Sequence, residues 1–394
     1  MSQVMKVAHL DHVNTNGGAE LALARMLQGK PSWRPLVILP KRSNDENAVF
    51  TDGRLHEEVG VLRIGPQQPV GASNAGGIGK LAGMAIRLLG QALVLRPTLR
   101  RQRVEVVHAN STRSAIYGVL AVLGSRRTFV VHLRDMITPE SIGGAGHALF
   151  TRLALRRADG VIANSSATLD SARSSIREAT AVAVIPSAAG IARIEADSLP
   201  DIAAGERIRC IGMVARIDPW KGQELLVRAL ARADLSADCR LMFAGGAPFG
   251  NEPYLEELRA LAAELGIADR VDFCGHVRDV NSFIDGLDVC VQASIRPEPL
   301  GQNVLQYLSR GRATIVADEG GPTEWVTDGE NGLTFRSGSE EDLALQIDRL
   351  DQDASLRKAL GRAAVATDGL ADDQEIANLH LALFADARSR RAGR

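Results

Sequence analysis

The chain has 394 residues, is 45% hydrophobic and 24% charged, and carries a formal net charge of −1. One core rarely organises that many residues, so two domains are expected. A charge so near zero excludes a global field for nucleic acid, and an aromatic content of 4% argues against an exposed platform for stacking bases.

Short apolar runs alternate with longer helix-like segments. VMKVAHL, PLVILP, VEVVHAN, TFVVHL, GVIANS and AVAVIPS read as strands in the first half. IRCIGMV, RLMFAGG, VDFCG, VCVQAS and ATIVAD repeat the pattern in the second. Near-continuous apolar strands separated by amphipathic helices imply parallel sheets covered on both faces, hence two doubly wound α/β domains. The alternation lapses over SAAGIARIEADSLPDIAAGE, residues 187–206. The expected domains are therefore 1–187 and 188–369, with a last helix, 370–394, packing back on the first. MSQVMKVAHLDH runs straight into a strand, so no leader is expected, and no apolar stretch is long enough to span a membrane. Cys210, Cys239, Cys274 and Cys290 lack metal-ligand spacing and read as buried free thiols of a reducing cytosol.

Along the chain, NTNGGAELALARML (14–27) follows the first strand and opens a helix. Gly17 and Gly18 allow close backbone approach to an anion at the helix N-terminus, or form a plain tight turn. Residues 59–104 hold Arg63, Lys80, Arg87, Arg96, Arg100, Arg101 and Arg103 and no acid. Lys80 to Leu95 reads as an amphipathic helix, either a sheet cover with a basic edge or a surface for anionic lipid or an anionic acceptor. GGIGKLAG (76–83) imitates a dinucleotide fingerprint, but no strand precedes it, so it reads as a flexible lead-in to that helix. GMVARIDPWKGQELLVRAL (212–230) runs from strand through loop to helix, with Arg216 and Lys221 placed to clamp a diphosphate. RPEPLGQNVLQYLSRG (296–311) leaves a strand and opens a helix with Val304, Leu305 and Leu308 inward and Gly311 as its stop. Glu298 precedes the orphan N–H groups of that helix, where its carboxylate can accept from vicinal hydroxyls or cap the helix.

Arg216 to Gly222 (Arg-x4-Lys-Gly), Gly275-His276-Val277, Glu298 to Gly301 and ADEGGPTEWVTDGENGLTF resemble the retaining glycosyltransferases of family 4. NGGAE, VVHANS, VVHLRD and VIANSS extend the resemblance into the first half. It implies the GT-B fold, two Rossmann-like domains facing across a cleft, and transfer from a nucleoside-diphosphate sugar to a glycan, lipid-linked or small-molecule acceptor. It implies that Gly17 and Gly18 approach the donor diphosphate, which Arg216 and Lys221 neutralise. Val277 would lie against the base and Glu298 would hold sugar hydroxyls, while Pro299, Leu300 and Gly301 bring backbone to sugar and phosphate. His132 matches the family's active-site histidine beside the transferred sugar. Gln306 departs from the pattern, since a second Glu commonly grips the ribose there. The expected enzyme needs no metal or other cofactor and binds no nucleic acid. It works in the cytoplasm, touching the inner membrane face through its basic 80–103 region. The competing expectation is a nucleotide-sugar-binding protein that has lost transfer; a NAD-linked oxidoreductase lacks its strand-linked fingerprint.

Overall fold

The computed structural model describes residues 4–15, 17–41, 48–51, 53, 55–68, 78–199, 205–248 and 250–393. Residues 76 and 77 of GGIGKLAG lie outside the described residues. Two compact units divide the chain, one of Met1–Gly190 with Ala371–Arg394 and one of Ile191–Leu370.

The first unit runs β1 (Lys6–Leu10), α1 (Gly18–Gln28), β2 (Arg34–Leu39), β3 (Gly60–Arg63), α2 (Ile78–Arg101), β4 (Val106–Ala109) and α3 (Thr112–Val122). It continues through β5 (Thr128–Leu133), α4 (Pro139–Ile142), α5 (Gly144–Leu149), β6 (Gly160–Ala163), α6 (Ser166–Ala172) and β7 (Ala181–Val184). The second unit runs β8 (Cys210–Val214), α7 (Gln223–Arg232), β9 (Arg240–Ala244), α8 (Glu252–Glu264), β10 (Val271–Gly275) and α9 (Val280–Asp285). It ends with β11 (Val289–Gln292), α10 (Gln302–Ser309), β12 (Ala313–Ala317), β13 (Leu333–Phe335), α11 (Glu340–Gln352) and α12 (Ala354–Val365). The last helix, α13 (Asp373–Ala392), returns to the first unit and packs on α1 and β5 to β7.

All strand pairs are parallel. The seven-stranded sheet has the order β3-β2-β1-β4-β5-β6-β7 and the six-stranded sheet β10-β9-β8-β11-β12-β13. Each sheet starts in its middle and winds outward in both directions. The reversal falls between β1 and β4 in one unit and between β8 and β11 in the other. At such a point the loops leave the carboxyl edge in opposite directions and open a crevice.

Both faces of each sheet are covered, which is why the strands carry unbroken apolar runs. In the first unit Phe129, Val131 and Leu133 of β5 join one core with Tyr117 and Phe150. Val130 joins the other, with Trp33 and Phe384. Two strands were not legible as such: β3, four partly exposed residues inside the basic region, and β13, three residues long. Helix α2 extends beyond the expected Leu95 to Arg101, running through Pro97. Pro97 removes the N–H that would serve the carbonyl of Leu93, but Leu93 is 74% exposed, so water can replace it. Of the cysteines, Cys239 and Cys290 are buried, whereas Cys274 is exposed because β10 is an edge strand.

Candidate functional site

In the second unit the loops after β8 and β11 meet at the reversal point. Gly222 makes this possible. It sits at φ 78°, and a Cβ there would collide with the carbonyl of Ala293, just beyond β11. Ile295 N–H donates to Trp220 O at 2.9 Å and Gln223 Nε2 donates to Arg216 O at 2.8 Å. The loop is thereby stitched at both ends. Asp218 caps the turn Pro219–Lys221 and accepts from Arg216 Nε at 3.1 Å.

Lys221 Nζ reaches both oxygens of Glu298, at 2.6 and 2.8 Å, and lies 3.9 Å from the centroid of the Trp220 ring. Ser294 Oγ adds a hydrogen bond to Glu298 at 2.7 Å. The side chains of Lys221 and Glu298 are 14% and 13% exposed. Burial pushes the Glu298 carboxyl up, but Lys221, Ser294 and Arg216 outweigh it and hold the group below the usual carboxylate range. The segment is pinned from behind. Gly320 at φ 77° and Gly321 press on the backbone of residues 297–300, and Gly321 N–H donates to Glu298 O at 2.8 Å. Gly301, at φ 76°, then opens α10.

The structure therefore brings Arg216, Lys221, Glu298, Pro299, Leu300 and Gly301 to the carboxyl edge at β8 and β11. Val277 is half-buried in the loop after β10, two strands away from β8. Gln306 is buried in α10, 7% exposed. Gly17 and Gly18 lie in the first unit at the start of α1. A Cβ on Gly17 would overlap Glu20 Oε2, so this glycine is what lets the Glu20 carboxyl fold back over the helix start.

His132 is a correction. The resemblance puts it beside the transferred sugar, but it lies inside β5, which continues to Leu133, and the residue is 1% exposed. Alternation along β5 turns it to the face covered by α13, where it belongs to a buried row of four histidines. Trp33 Nε1–H, a donor only, lies 3.0 Å from His9 Nε2, so His9 carries its proton on Nδ1. That proton points to His108 Nδ1 at 2.9 Å, and His108 Nε2 points to His132 Nδ1 at 3.2 Å. From the other side, His380 Nδ1 donates to Ile376 O at 2.8 Å. The row ends on His132 Nε2–H and the bare Nε2 of His380, two complementary groups without a partner. Nitrogens of His108, His132 and His380 lie within 4.8 Å of one another, a spacing that invites a metal ion. A metal ion there would have to take the His132 Nδ1 lone pair from His108 or displace the proton assigned to His132 Nε2.

The first unit has a polar carboxyl edge that the sequence did not disclose. Buried Asp11 accepts from Asn110 Nδ2 at 2.6 Å, and Asn110 Oδ1 accepts from Arg134 at 2.7 and 3.1 Å. Arg134 also donates to Ser187 Oγ at 2.8 Å. Burial, then the charge of Asp11, raises Glu20 to about 8, and burial lowers Arg134 to about 10. A cavity of about 910 Å³ lies at the opposite, amino end of β5 and β6, lined by Arg126, Arg157, Asp159, Arg177 and Arg391. It shares none of these residues.

Two doubly wound parallel units, each with its polar loops on the carboxyl edge, define a protein of the GT-B class. The description Glycosyl transferases group 1 matches residues 200–366, and Glycosyl transferase 4-like domain matches residues 19–188. The chain belongs to this glycosyltransferase family. It is 25% identical to HepE of Anabaena, solved in complex with UDP and glucose, with a TM-score of 0.77 over 97% of this chain and 99% of that one. Sucrose-phosphate synthase of Thermosynechococcus elongatus shares the fold at 19% identity, with a TM-score of 0.74 over 97% and 99% of the two chains. Among curated relatives, a D-inositol 3-phosphate glycosyltransferase of Stackebrandtia nassauensis is 34% identical over 46% of this chain and 42% of its own. The mannosyltransferase LpcC of lipopolysaccharide core biosynthesis in Rhizobium leguminosarum is 26% identical over 68% and 74%. The match thus spans less than half the length of the Stackebrandtia relative.

Two outcomes follow. Burial holds His9 and His380 at about 3 and pushes His108 and His132 well below the ordinary histidine range, where an unfolded histidine titrates near 6.5, so the unfolded chain binds more protons and stability falls as pH drops below 6.5. Glu20, raised to about 8, opposes them by one proton. At about 1.4 kcal/mol per pH unit per proton, the net slope is roughly 4 kcal/mol per pH unit near pH 5. Urea unfolding between pH 7 and 4.5 checks it; a flat profile from 6.5 to 5 contradicts it. Second, Lys221→Ala strands a half-sealed carboxylate and costs roughly 3 kcal/mol, and adding Glu298→Gln recovers part of that loss. Strictly additive losses in urea melts of the single and double variants would show that the pair is not coupled.

Proposed function

We propose that the protein transfers a sugar from a nucleoside-diphosphate sugar to a hydroxyl-bearing acceptor, with retention at the anomeric carbon. The observation that carries this is the constellation of Arg216, Lys221 and Glu298 at the β8/β11 reversal, beside the N-terminus of α10. Two cations and a helix start suit a diphosphate; a carboxylate held ionised suits sugar hydroxyls. As the bond to the sugar breaks, charge gathers on the leaving diphosphate, and Arg216 and Lys221 stabilise it there. These cations come from the chain itself, so turnover is expected to survive EDTA. Pro299, Leu300 and Gly301 offer backbone to sugar and phosphate, and Val277 takes the base. Gly17 and Gly18 offer the start of α1 to an anion. Likeness to the UDP complex of HepE makes uridine the first base to try.

Gln306 supports a second reading, a nucleotide-sugar binder without transfer. Turnover of UDP-glucose, against titrations of UDP, GDP, ADP and dTDP, decides between them. Gln306→Glu should tighten binding of the matching nucleoside diphosphate about fivefold, or about 1 kcal/mol, because a carboxylate accepts ribose hydroxyls with charge assistance. The gain stays small because the new charge must be desolvated in α10. Calorimetry measures it; weaker binding would remove Gln306 from the ribose.

We also propose that α2 docks on an anionic bilayer. Ile86, Leu89 and Leu93, with Val94 beside them, form an exposed apolar stripe, 69%, 52%, 74% and 41% exposed. Arg87 and Arg96 flank it, Arg100 and Arg101 extend it, and all are exposed on a helix without acids. Such a face sinks its apolar side chains between headgroups while the guanidinium groups meet lipid phosphates. No helix among the described residues is long and apolar enough to cross a membrane. The protein should sediment with vesicles containing phosphatidylglycerol and not with pure phosphatidylcholine, and Leu93→Glu should abolish it. Equal binding to both vesicles, or none, contradicts the docking.

A further inference from the structure

The amino edge of the first sheet carries an excess of positive charge that the proposed transfer does not use. We propose that the cavity at this edge is a binding site for a phosphate monoester, carried either by a small soluble molecule or by a lipid headgroup. It stands independently of the transfer reaction, since every residue that lines it belongs to the first unit.

The cavity is built from the segments that enter three neighbouring strands. Arg126 precedes β5, Arg157 ends the turn Leu155–Arg157 before β6, and Arg177 lies before β7. Parallel pairing of β5, β6 and β7 sets these segments side by side. Helix α13 closes the cavity with Arg388 and Arg391. β5 is six residues long, so this edge lies about 17 Å from the polar carboxyl edge of the same sheet.

Charge accounting leaves two cations over. Arg391 Nη1 pairs with Asp159 Oδ2 at 2.6 Å, and its Nη2 donates to Ser125 O at 2.6 Å. Asp159, whose side chain is 4% exposed, also accepts Phe129 N–H at 2.9 Å. Arg388 Nη1 pairs with Glu105 at 2.9 Å, and Arg177 Nη2 donates to Ala158 O at 2.8 Å. The side chains of Arg126 and Arg157 have neither a hydrogen bond nor an ion pair among the described residues. Further cations crowd the rim. A Cβ on Gly124 would stand 3.9 Å from Arg96 Nη2. Burial, then the charges of Arg100 and Arg96, push the Arg127 guanidinium down, and its buried Nε has no partner among the described residues. Guanidinium groups gathered in this way repel one another unless an anion lies among them. A cation in the last helical turn answers the dipole of α13, which accounts for Arg391. It does not account for Arg126 and Arg157, which stand at the entries of two strands.

The lining selects the ligand class. Two uncommitted guanidinium groups match the charge of about −2 that a phosphate monoester carries near pH 7, and each offers paired donors that fit phosphate oxygens. A diester, with one charge, would leave one of them uncompensated. Thr128 adds a neutral donor, since its Oγ1 makes no hydrogen bond among the described residues. Val119, Val122, Leu123 and Phe129 form the apolar part of the wall. A volume of about 910 Å³ is of the size that takes a whole small molecule, so the phosphate brings an organic body against that wall.

The test uses the whole chain and two probes, with chloride holding the ionic strength equal throughout. Calorimetry with glycerol 3-phosphate, the polar half of phosphatidic acid, reads the soluble source. Cosedimentation with phosphatidylcholine vesicles containing phosphatidic acid, against vesicles containing phosphatidylglycerol at equal surface charge, reads the lipid source, because docking of α2 alone follows charge and not the monoester. Arg126→Gln combined with Arg157→Gln should weaken the binding of glycerol 3-phosphate, or the preference for phosphatidic acid, roughly tenfold or more. Both arginines are exposed and hold no structural bond, so the double variant should keep the wild-type urea midpoint and bind UDP within twofold of wild type. Lys221→Ala, in the second unit, should leave the phosphate binding unchanged. Binding of glycerol 3-phosphate assigns the cavity to a soluble ester; a preference for phosphatidic acid without it assigns the cavity to lipid. No binding in either arm, binding that the double variant retains in full, or binding that Lys221→Ala removes overturns the proposal.

Discussion

Lys221 and Glu298 are two opposite charges that the fold has half withdrawn from water, and much of the second unit is arranged around that fact. Neither could be left alone there, since an unpaired charge at that burial costs several kcal/mol. The pair forms because two loops from different strands are forced together. Gly222 lets the β8 loop lie on the end of β11, while Gly320 and Gly321 press the Glu298 segment from behind. Side chains at these glycines would open the gap and separate the charges. Arg216 is paired in the same manner with Asp218, but its side chain is 42% exposed and free of that constraint. The resting site thus holds each cation on its own carboxylate. On the proposed function, the donor diphosphate would exchange partners there instead of meeting bare cations.

The same winding occurs twice with different chemistry. In the second unit the reversal point exposes cations and a helix start. In the first it buries them: Arg134 is sealed and spends its donors on Asn110 and Ser187. Asp11 is offset by Arg134 through Asn110, and Glu20 gives up its charge because burial and Asp11 both oppose ionisation. One topology therefore carries two different polar edges, with the difference set by loop residues and not by the sheet.

The sheets were legible because a strand buried on both faces must be apolar at every position, and eleven apolar runs were read as strands on that basis. β3 and β13 escaped because short edge strands need no such run. The charged loop of the second unit was legible because Arg216, Lys221 and Glu298 stand in local motifs around glycines. The polar edge of the first unit was not. Asp11, Asn110 and Arg134 are 24 to 123 residues apart in sequence, and only the parallel ladder of β1, β4 and β5 assembles them. His132 misled for a related reason. A histidine in a strand run looks like the strand's end, because imidazole is a costly guest in a core. Here the cost is met by three further histidines that no local pattern links to it.

That row of histidines explains why α13, the last helix of the chain, belongs to the first unit. His380 and Phe384 present α13 to a stripe of His9, His108 and His132, with ring centroids 5.4 to 6.3 Å apart. An all-aliphatic stripe would accept the helix in several rotations. Here the stripe is a directed chain running from Trp33 to His132, with the His380 ring packed beside its end. Turning α13 about its axis would take the His380 ring off the rings of His108 and His132. Ring contacts of His380 and Phe384, and not a hydrogen bond, join the returning helix to that stripe.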